Sequence, residues 1–150
     1  MKIEMRPLDQ IAPYDRNPRL NDEAVEAVAG SLKEFGWRQP IVVDAEGIIV
    51  VGHTRWKAAK KLGWTTAPVP VATELTPAQT KAYRIADNQT ATIAEWDKEL
   101  LPIELGELET MEFDLTLLGF KEEELPTAPS VGAVQVPWLR RIAFGLQPSK

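Results

Sequence analysis

The stretch Ile48-Ile49-Val50-Val51-Gly52-His53-Thr54-Arg55-Trp56-Lys57-Ala58-Ala59-Lys60-Lys61-Leu62-Gly63 decides how this chain folds. Four β-prone residues run into Gly52, and a helical pattern with a basic first turn follows. A strand that ends at glycine and feeds a helix leaves several backbone N–H groups without partners, aimed at one point. Their partial positive charge, with Arg55 beside them, makes a seat for a phosphate or another small anion. A single glycine before a helix is also the mark of an ordinary strand-to-helix corner, so the surroundings must decide.

Upstream, Gln39-Pro40-Ile41-Val42-Val43-Asp44 reads as a strand that turns at Ala45-Glu46-Gly47 and pairs with Ile48 to Val51 as a hairpin. Before it, Asn21 is the expected N-cap of a helix with Asp22 and Glu23 in its first turn. Val25, Val28, Ala29, Leu32 and Phe35 share one face of that helix, and Gly36 stops it. Lys2 to Leu8 alternates as a strand that Pro7 confines to an edge or an end, and Asp9 to Leu20 is a loop holding Arg16 and Arg19.

Downstream, Ala58, Ala59 and Leu62 are expected inside, Lys57, Lys60 and Lys61 in water, and Gly63 at the helix end. Ala67 to Thr73 reads as an edge strand because of Pro68 and Pro70. Thr76-Pro77-Ala78-Gln79 is a capping box with proline at the first helical position, opening a helix to about Thr90 with Asp87-Asn88-Gln89 near its end. Asp97 starts a further helix carrying Leu100, Leu101, Leu105 and Leu108, which Pro102 should bend and Gly106 weaken. Asp114 to Leu118 is a short helix closed by Gly119. From Pro126 onward periodicity is lost, and Pro137 to Phe144 is apolar but capless. The expected organisation is an α+β domain over 1–92, a helical extension over 93–125, and a disordered or truncated tail over 126–150.

The 150 residues contain no cysteine and one histidine, which excludes a disulfide framework, a thiolate metal site and a cysteine nucleophile. No apolar run approaches a membrane span and no signal-peptide core opens the chain, so cytoplasm is the default compartment. A net charge of −5 argues against holding duplex DNA through the overall field. The acid concentrates between Glu95 and Glu124 and the base between Arg38 and Lys61, which permits a local anion site.

The order strand, helix, hairpin, Gly-led helix, strand resembles the ParB/sulfiredoxin N-terminal fold, a small mixed sheet flanked by helices. Leu8-Asp9-Gln10-Ile11 with Asn17-Pro18-Arg19, Gly36-Trp37-Arg38-Gln39-Pro40-Ile41, and Gly52-His53-Thr54-Arg55-Trp56-Lys57-Ala58-Ala59 resemble successive ParB-like boxes, with Ala86-Asp87-Asn88-Gln89 at the acidic-Asn motif. Sulfiredoxin chemistry is excluded because the Gly-led box lacks the cysteine. The family's free-serine kinases place an aspartate before the glycine, where this chain has Val51, so phosphoryl transfer lacks its base. Partition ParB proteins bind CTP through three boxes. Here His53 and Thr54 replace an acid and an arginine in the second, and Ala91 replaces the arginine of the third. Two lost arginines remove charge-assisted hydrogen bonds of about 1.5–3 kcal/mol each.

Arg84-Ile85-Ala86-Asp87-Asn88-Gln89, Trp96-Asp97 and the run from Phe113 to Phe120 most resemble ParB-like domains that precede DNA methyltransferases in phages and mobile elements. No Asp/Asn-Pro-Pro-Tyr/Phe motif occurs, and neither a helix-turn-helix domain nor a dimerising coiled coil is expected after the boxes. The chain therefore reads as an accessory part standing alone or as a truncated gene. The resemblance implies a nucleotide- or phosphate-binding module of a DNA-modification or DNA-maintenance system. Gly52, His53, Thr54, Arg55, Gln39 and Asn88 would form its site, with Asp87 as the metal-site residue. The implied ligands are CTP, ATP or ADP with Mg²⁺. The implied partners are DNA, directly or through another protein, a DNA methyltransferase or a phage packaging protein. The alternatives are a nucleotide-dependent phosphotransferase, hydrolase or nuclease, and a docking domain for a methyltransferase. For Thr54 the cap is the simpler role, His53 is either a phosphate donor or a helix-start residue, and the bland partner of Arg55 is Asp87 or Glu74. Trp37, Trp56, Trp64 and Trp96 read as core and rim packing.

Overall fold

The computed structural model describes residues 1–125, and the tail expected over 126–150, with its Pro137 to Phe144 segment, lies outside them. The chain divides into two compact units, Met1–Ala94 and a second beginning at Glu95. The first unit runs β1 (Ile3–Pro7), α1 (Asp22–Phe35), β2 (Val42–Val43), β3 (Ile49–Val51), α2 (His53–Lys61), β4 (Thr66–Pro70) and α3 (Pro77–Ile93). Two antiparallel ladders, β1 with β4 and β2 with β3, are tied together by parallel bridges between Val43 and Val71 and between Ala12 and Ile48. The result is the expected α+β architecture of a small mixed sheet with helices.

The strand expected over Gln39 to Asp44 shrinks to Val42–Val43, because the register shifts between these two residues. Ile41 instead donates its amide to Pro68 O at 3.0 Å. β4 pairs with β1 alone in a two-stranded ladder, as its prolines imply, and this bond covers its outer side. Pro68 and Pro70 lie on the same side of the strand, away from β1, so their missing N–H groups leave the β1 ladder intact and only sparse bonds are needed opposite. The hairpin turn is held by the Asp44 carboxylate, whose Oδ1 accepts from Glu46 N at 3.0 Å and Ile48 N at 2.9 Å.

Leu8, Ile11, Ala29, Leu32, Ile41, Val43 and Ile49 form one side of the core, closed by Ala58 and Ala59 of α2 and Ala67 and Val69 of β4. The alanine pair of α2 is fully buried, and α1 lies directly against it. Trp37 and Trp64 meet at 5.7 Å between ring centroids beside this core, and Trp56 donates Nε1–H to Leu8 O at 3.3 Å. Phe35, expected inside, is 41% exposed at the end of α1.

Asn21 stands at the N-cap position of α1 but makes no capping bond, because its Oδ1 accepts from Lys57 Nζ at 2.8 Å. Lys57, expected in water, thus ties α2 to the start of α1 and also reaches Asp22 at 3.0 Å. Lys61 pairs with Glu26, while Lys60 sits over the Trp56 ring at 4.3 Å. The capping box of Thr76 and Gln79 forms in both directions. Helix α3 continues to Ile93 rather than ending near Thr90, which puts Asp87 and Asn88 within the helix body.

In the second unit, α4 (Leu100–Thr110) starts three residues later than expected. Asp97 is its anchor, accepting from Glu99 N at 2.8 Å and Leu100 N at 2.9 Å, and these amides hold its carboxyl below the usual carboxylate range. Pro102 consequently falls in the first turn, where its missing N–H costs no bond within α4. Short 3-10 turns follow at Leu115–Leu118 and Glu122–Glu124, and Trp96 and Phe120 meet at 5.7 Å. Among the described residues, no helix is long and apolar enough to cross a membrane.

Candidate functional site

The Val51-Gly52-His53 corner works because Gly52 adopts φ 108, ψ 26, a conformation that a side chain would strain. A Cβ there would also stand 3.0 Å from Arg55 Nη1 and 3.3 Å from Ile41 Cα. The glycine therefore lets the Arg55 guanidinium and the Ile41 backbone close over the turn. Helix α2 begins at once with His53, and its first satisfied amide is that of Trp56, which donates to Gly52 O at 3.0 Å. Among the described residues, the amides of His53, Thr54 and Arg55 have no acceptor. Three N–H dipoles thus gather at the positive end of a helix.

These amides open into a cleft of about 480 Å³. Gln39, Gly52, His53, Thr54, Arg55, Asp87 and Asn88, every residue singled out from the sequence, line it together. Helix α1 adds Val28, Ser31 and Leu32, so the cleft is polar at the α2 end and apolar along α1. Among the described residues, its charge comes from Arg19, Arg38 and Arg55 against the single carboxylate of Asp87.

Arg55 donates from Nη2 to Gln39 Oε1 at 2.7 Å and from Nη1 to Pro40 O at 3.0 Å. Its partners are therefore an amide and a carbonyl, rather than a bond to Asp87 or Glu74. Burial lowers its pKa from the ordinary guanidinium value, and the charge of Asp87 acts in the opposite sense. His53 is 8% exposed, and its Nε2 accepts the Tyr14 amide at 3.1 Å. An amide N–H only donates, so Nε2 is unprotonated and the ring is neutral with its proton on Nδ1. Burial lowers its pKa to about 4, helped by the charges of Arg84 and Lys57. Thr54 is the second residue of α2 and makes no capping bond, because Gly52 holds the N-cap position. Asn88 donates Nδ2–H to Arg84 O at 2.8 Å, and its own carbonyl accepts from Arg19 Nη1 at 3.5 Å.

Arg19, Arg38, Asn17 and Asn21 were not marked as site residues in the sequence. Arg19 arrives from the loop before α1, its amide held by Asn17 Oδ1 at 3.3 Å, and Arg38 is fixed by Nε donating to Phe35 O at 3.0 Å. Asn17, Arg19 and Arg38 do stand in the ParB-like boxes quoted above, and that is the signal that could have found them. Among the described residues, no group of three metal-ligating side chains occurs.

A small mixed sheet whose Gly-led helix points its free amides into an arginine-lined cleft defines the class, and comparison with known proteins places the chain within it. The model of the ParB N-terminal domain matches residues 1–89, and the chain belongs to that family. It is 40% identical over 80 residues to the ParB-like nuclease domain-containing protein YnaK of Escherichia coli (strain K12), covering 92% of that protein and 53% of this chain. It is 32% identical over 115 residues to the nucleoid occlusion protein of Geobacillus sp. (strain WCH70), covering 69% of this chain but 37% of that protein. The C-terminally truncated chromosome-partitioning protein ParB from Caulobacter crescentus, solved with CTP-γ-S, shares the fold at a TM-score of 0.67 and 23% identity, over 97% of this chain and 86% of that one.

A second family model, the ParB-methyltransferase HTH domain, matches residues 99–127. This overturns the expectation that no helix-turn-helix segment follows the boxes. The charge of the segment gives no sign of it. From Glu95 to Leu125 the chain carries far more acid than base, with Lys98 and Lys121 its only cations, and a DNA-reading helix ordinarily shows the reverse.

Proposed function

We propose that the first unit is a nucleotide-binding module of a DNA-modification or DNA-maintenance system, and that it holds its ligand by the phosphates. The observation that carries this reading is the convergence of three unpartnered amides of α2 with Arg19, Arg38 and Arg55 on one cleft. Free amides at a helix N-terminus and guanidinium groups are the donors that phosphate oxygens recruit. The apolar wall of Val28 and Leu32, with Ser31 between them, leaves room for a ribose and base beyond the phosphates. The CTP-γ-S complex of the Caulobacter crescentus ParB supports a nucleoside triphosphate as the ligand class.

Among the described residues Asp87 is the one carboxylate on the cleft, so Mg²⁺ fits there as an ion shared with phosphate oxygens and water, the ordinary arrangement for that cation. Neutral His53 contributes shape and dipole rather than charge. The second unit links the module to its wider system, and its match to a ParB-methyltransferase HTH model favours a DNA methyltransferase assembly as that system.

Titration with MgCTP, MgATP and MgADP, followed by calorimetry and tryptophan fluorescence, tests the reading. Saturable binding of at least one nucleotide is expected, and Arg55→Ala should weaken it by about 1.5–3 kcal/mol, roughly ten- to 150-fold. Absence of binding by the wild-type chain, or equal affinity in Arg55→Ala, would refute it. Release of phosphate or ADP would move the module into the hydrolase or phosphotransferase class.

A further inference from the structure

We infer that Arg84 is the positioning residue of the cleft: from outside it, one guanidinium fixes the strand entering the Gly52 turn, the tautomer of His53, and the α3 turn that carries Asp87 and Asn88. Its effect on nucleotide rests on the binding role proposed above, whereas its hold on His53 stands apart from that role.

Arg84 is 7% exposed, an unusual place for a cation unless its donors are satisfied. Its Nε donates to Ile49 O at 3.0 Å, three residues before Gly52. Its Nη2 donates to Asp44 Oδ2 at 3.3 Å, and the other oxygen of that carboxylate already gathers the amides of the hairpin turn. The two bonds clamp α3 to both ends of the loop between β2 and β3. Cζ lies 3.9 Å from the centroid of the Tyr14 ring, and the Tyr14 amide is the group that occupies His53 Nε2. The Arg84 carbonyl, in turn, accepts Asn88 Nδ2 at 2.8 Å, while Asn88 O receives Arg19. Three walls of the cleft, namely the β3 corner, the loop of Tyr14 and Arg19, and α3, therefore meet at one residue, the first two of them through its guanidinium and Asn88 through its carbonyl.

An ion pair that only stabilised the core would need the Asp44 contact alone. The fork of fixed donors explains why arginine stands here, since a lysine ammonium cannot span the Ile49 carbonyl and the Asp44 carboxylate while stacking on a ring. His53 is where the arrangement becomes measurable. Protonating Nε2 would set its N–H against the Tyr14 N–H, with Arg84 on α3 and Lys57 on α2 already adding positive charge, so the cluster admits only the neutral ring.

His53 is the chain's single histidine, so its imidazole ¹⁵N resonances are unambiguous. In the wild type they should report the Nδ1–H tautomer and a titration near 4. Arg84→Met keeps the aliphatic stem and removes the guanidinium contacts, while the main-chain carbonyl that accepts from Asn88 remains. It should mix the tautomers, move the His53 titration up toward its ordinary value, and weaken binding of MgCTP by about tenfold. Arg84→Lys keeps the charge without the fork, so the titration should stay low while the affinity remains reduced. Should Arg84→Met fail to fold, the His53 tautomer and the nucleotide affinity of the lysine variant, both of which depend on the fork, carry the test. A variant that melts at lower temperature yet retains the wild-type tautomer, titration and affinity in its folded fraction would reduce Arg84 to fold support and overturn the inference. A wild-type chain that binds no nucleotide would defeat the proposed function, and the His53 spectra would still decide the role of Arg84.

Discussion

Replacing Gly52 with alanine should damage the fold and the cleft together, and the structure sets the size of the effect. At φ 108 the backbone lies beyond the left-handed region that asparagine or aspartate can tolerate, and such strain costs on the order of 1–3 kcal/mol. The new methyl would also press on Arg55 Nη1 at 3.0 Å and Ile41 Cα at 3.3 Å. The guanidinium is the movable end of a flexible side chain and gives way first, which breaks its bonds to Gln39 and Pro40. The Ile41 contact is backbone and cannot yield so easily. For a unit of this length each kcal/mol lowers the melting temperature by about 4–8 °C, so a fall of roughly 5–20 °C is expected. Gly63→Ala is the proper comparison, because Gly63 also has positive φ, at 74°, but its added Cβ would meet nothing within 4 Å. Thermal unfolding followed by tryptophan fluorescence reads stability, and MgCTP titration of the folded variants reads the cleft. Gly52→Ala should lose both stability and affinity, whereas Gly63→Ala should lose stability alone. If Gly52→Ala melted within about 2 °C of the wild type and bound as well, the account of the turn would be wrong.

Acid should expose the buried neutral state of His53. Its folded pKa near 4 lies below the ordinary 6.5, so the unfolded chain binds the extra proton first; the contribution is complete above about pH 6.5 and disappears as pH falls toward 4. Urea unfolding between pH 7 and pH 4.5 should show a loss of about 2–4 kcal/mol that His53→Gln largely abolishes, and an equal slope in the variant would place the acid sensitivity elsewhere. Thr76→Ala removes the hydroxyl half of the capping box, the bond accepted from Gln79 N, and should cost about 1 kcal/mol, read as a lower urea midpoint with unchanged slope, while leaving nucleotide affinity intact because α3 remains clamped at Arg84. An affinity loss as large as that of Arg55→Ala would show that the start of α3 communicates with the cleft.

The legible parts of this sequence are those whose cause is local. The Gly52 corner, the stop at Gly36 and the capping box at Thr76 each follow from a residue and its immediate neighbours, and each forms as read. The seven residues singled out for the site do share one cleft, because the corner supplies four of them and the boxes on either side supply the rest. What local reasoning missed depends on distant partners. Asn21 had every mark of an N-cap, yet Lys57, 36 residues away, takes its oxygen. Thr54 looked like a cap beside a glycine that needed none. Arg19 meets Asn88 across 69 residues, and Tyr14 meets His53 across 39. The helix-turn-helix match escaped for a different reason, since its region is acidic and α4 shows neither a basic face nor a strong apolar stripe.

These distant contacts change what the missing arginines mean. Read along the sequence, the Gly-led box and the acidic-Asn box are two cations short of the partition pattern, at Thr54 and Ala91. In the fold, Arg19 and Arg38 reach the cleft from outside both boxes. They do not simply restore the pattern, because their anchors differ. Arg38 is held by a main-chain carbonyl in its own helix-ending turn, and Arg19 leans on the backbone of α3 at 3.5 Å. Arg55 has two of its N–H groups engaged by Gln39 and Pro40. The donors that require no rearrangement are therefore the three amides at the start of α2, with the arginines supplying field around them. A ligand recognised this way is gripped at one phosphate by fixed backbone and steadied elsewhere by movable cations. On that account, replacing Arg19 or Arg38 should weaken all phosphorylated ligands modestly, while distorting the Gly52 corner should release them outright.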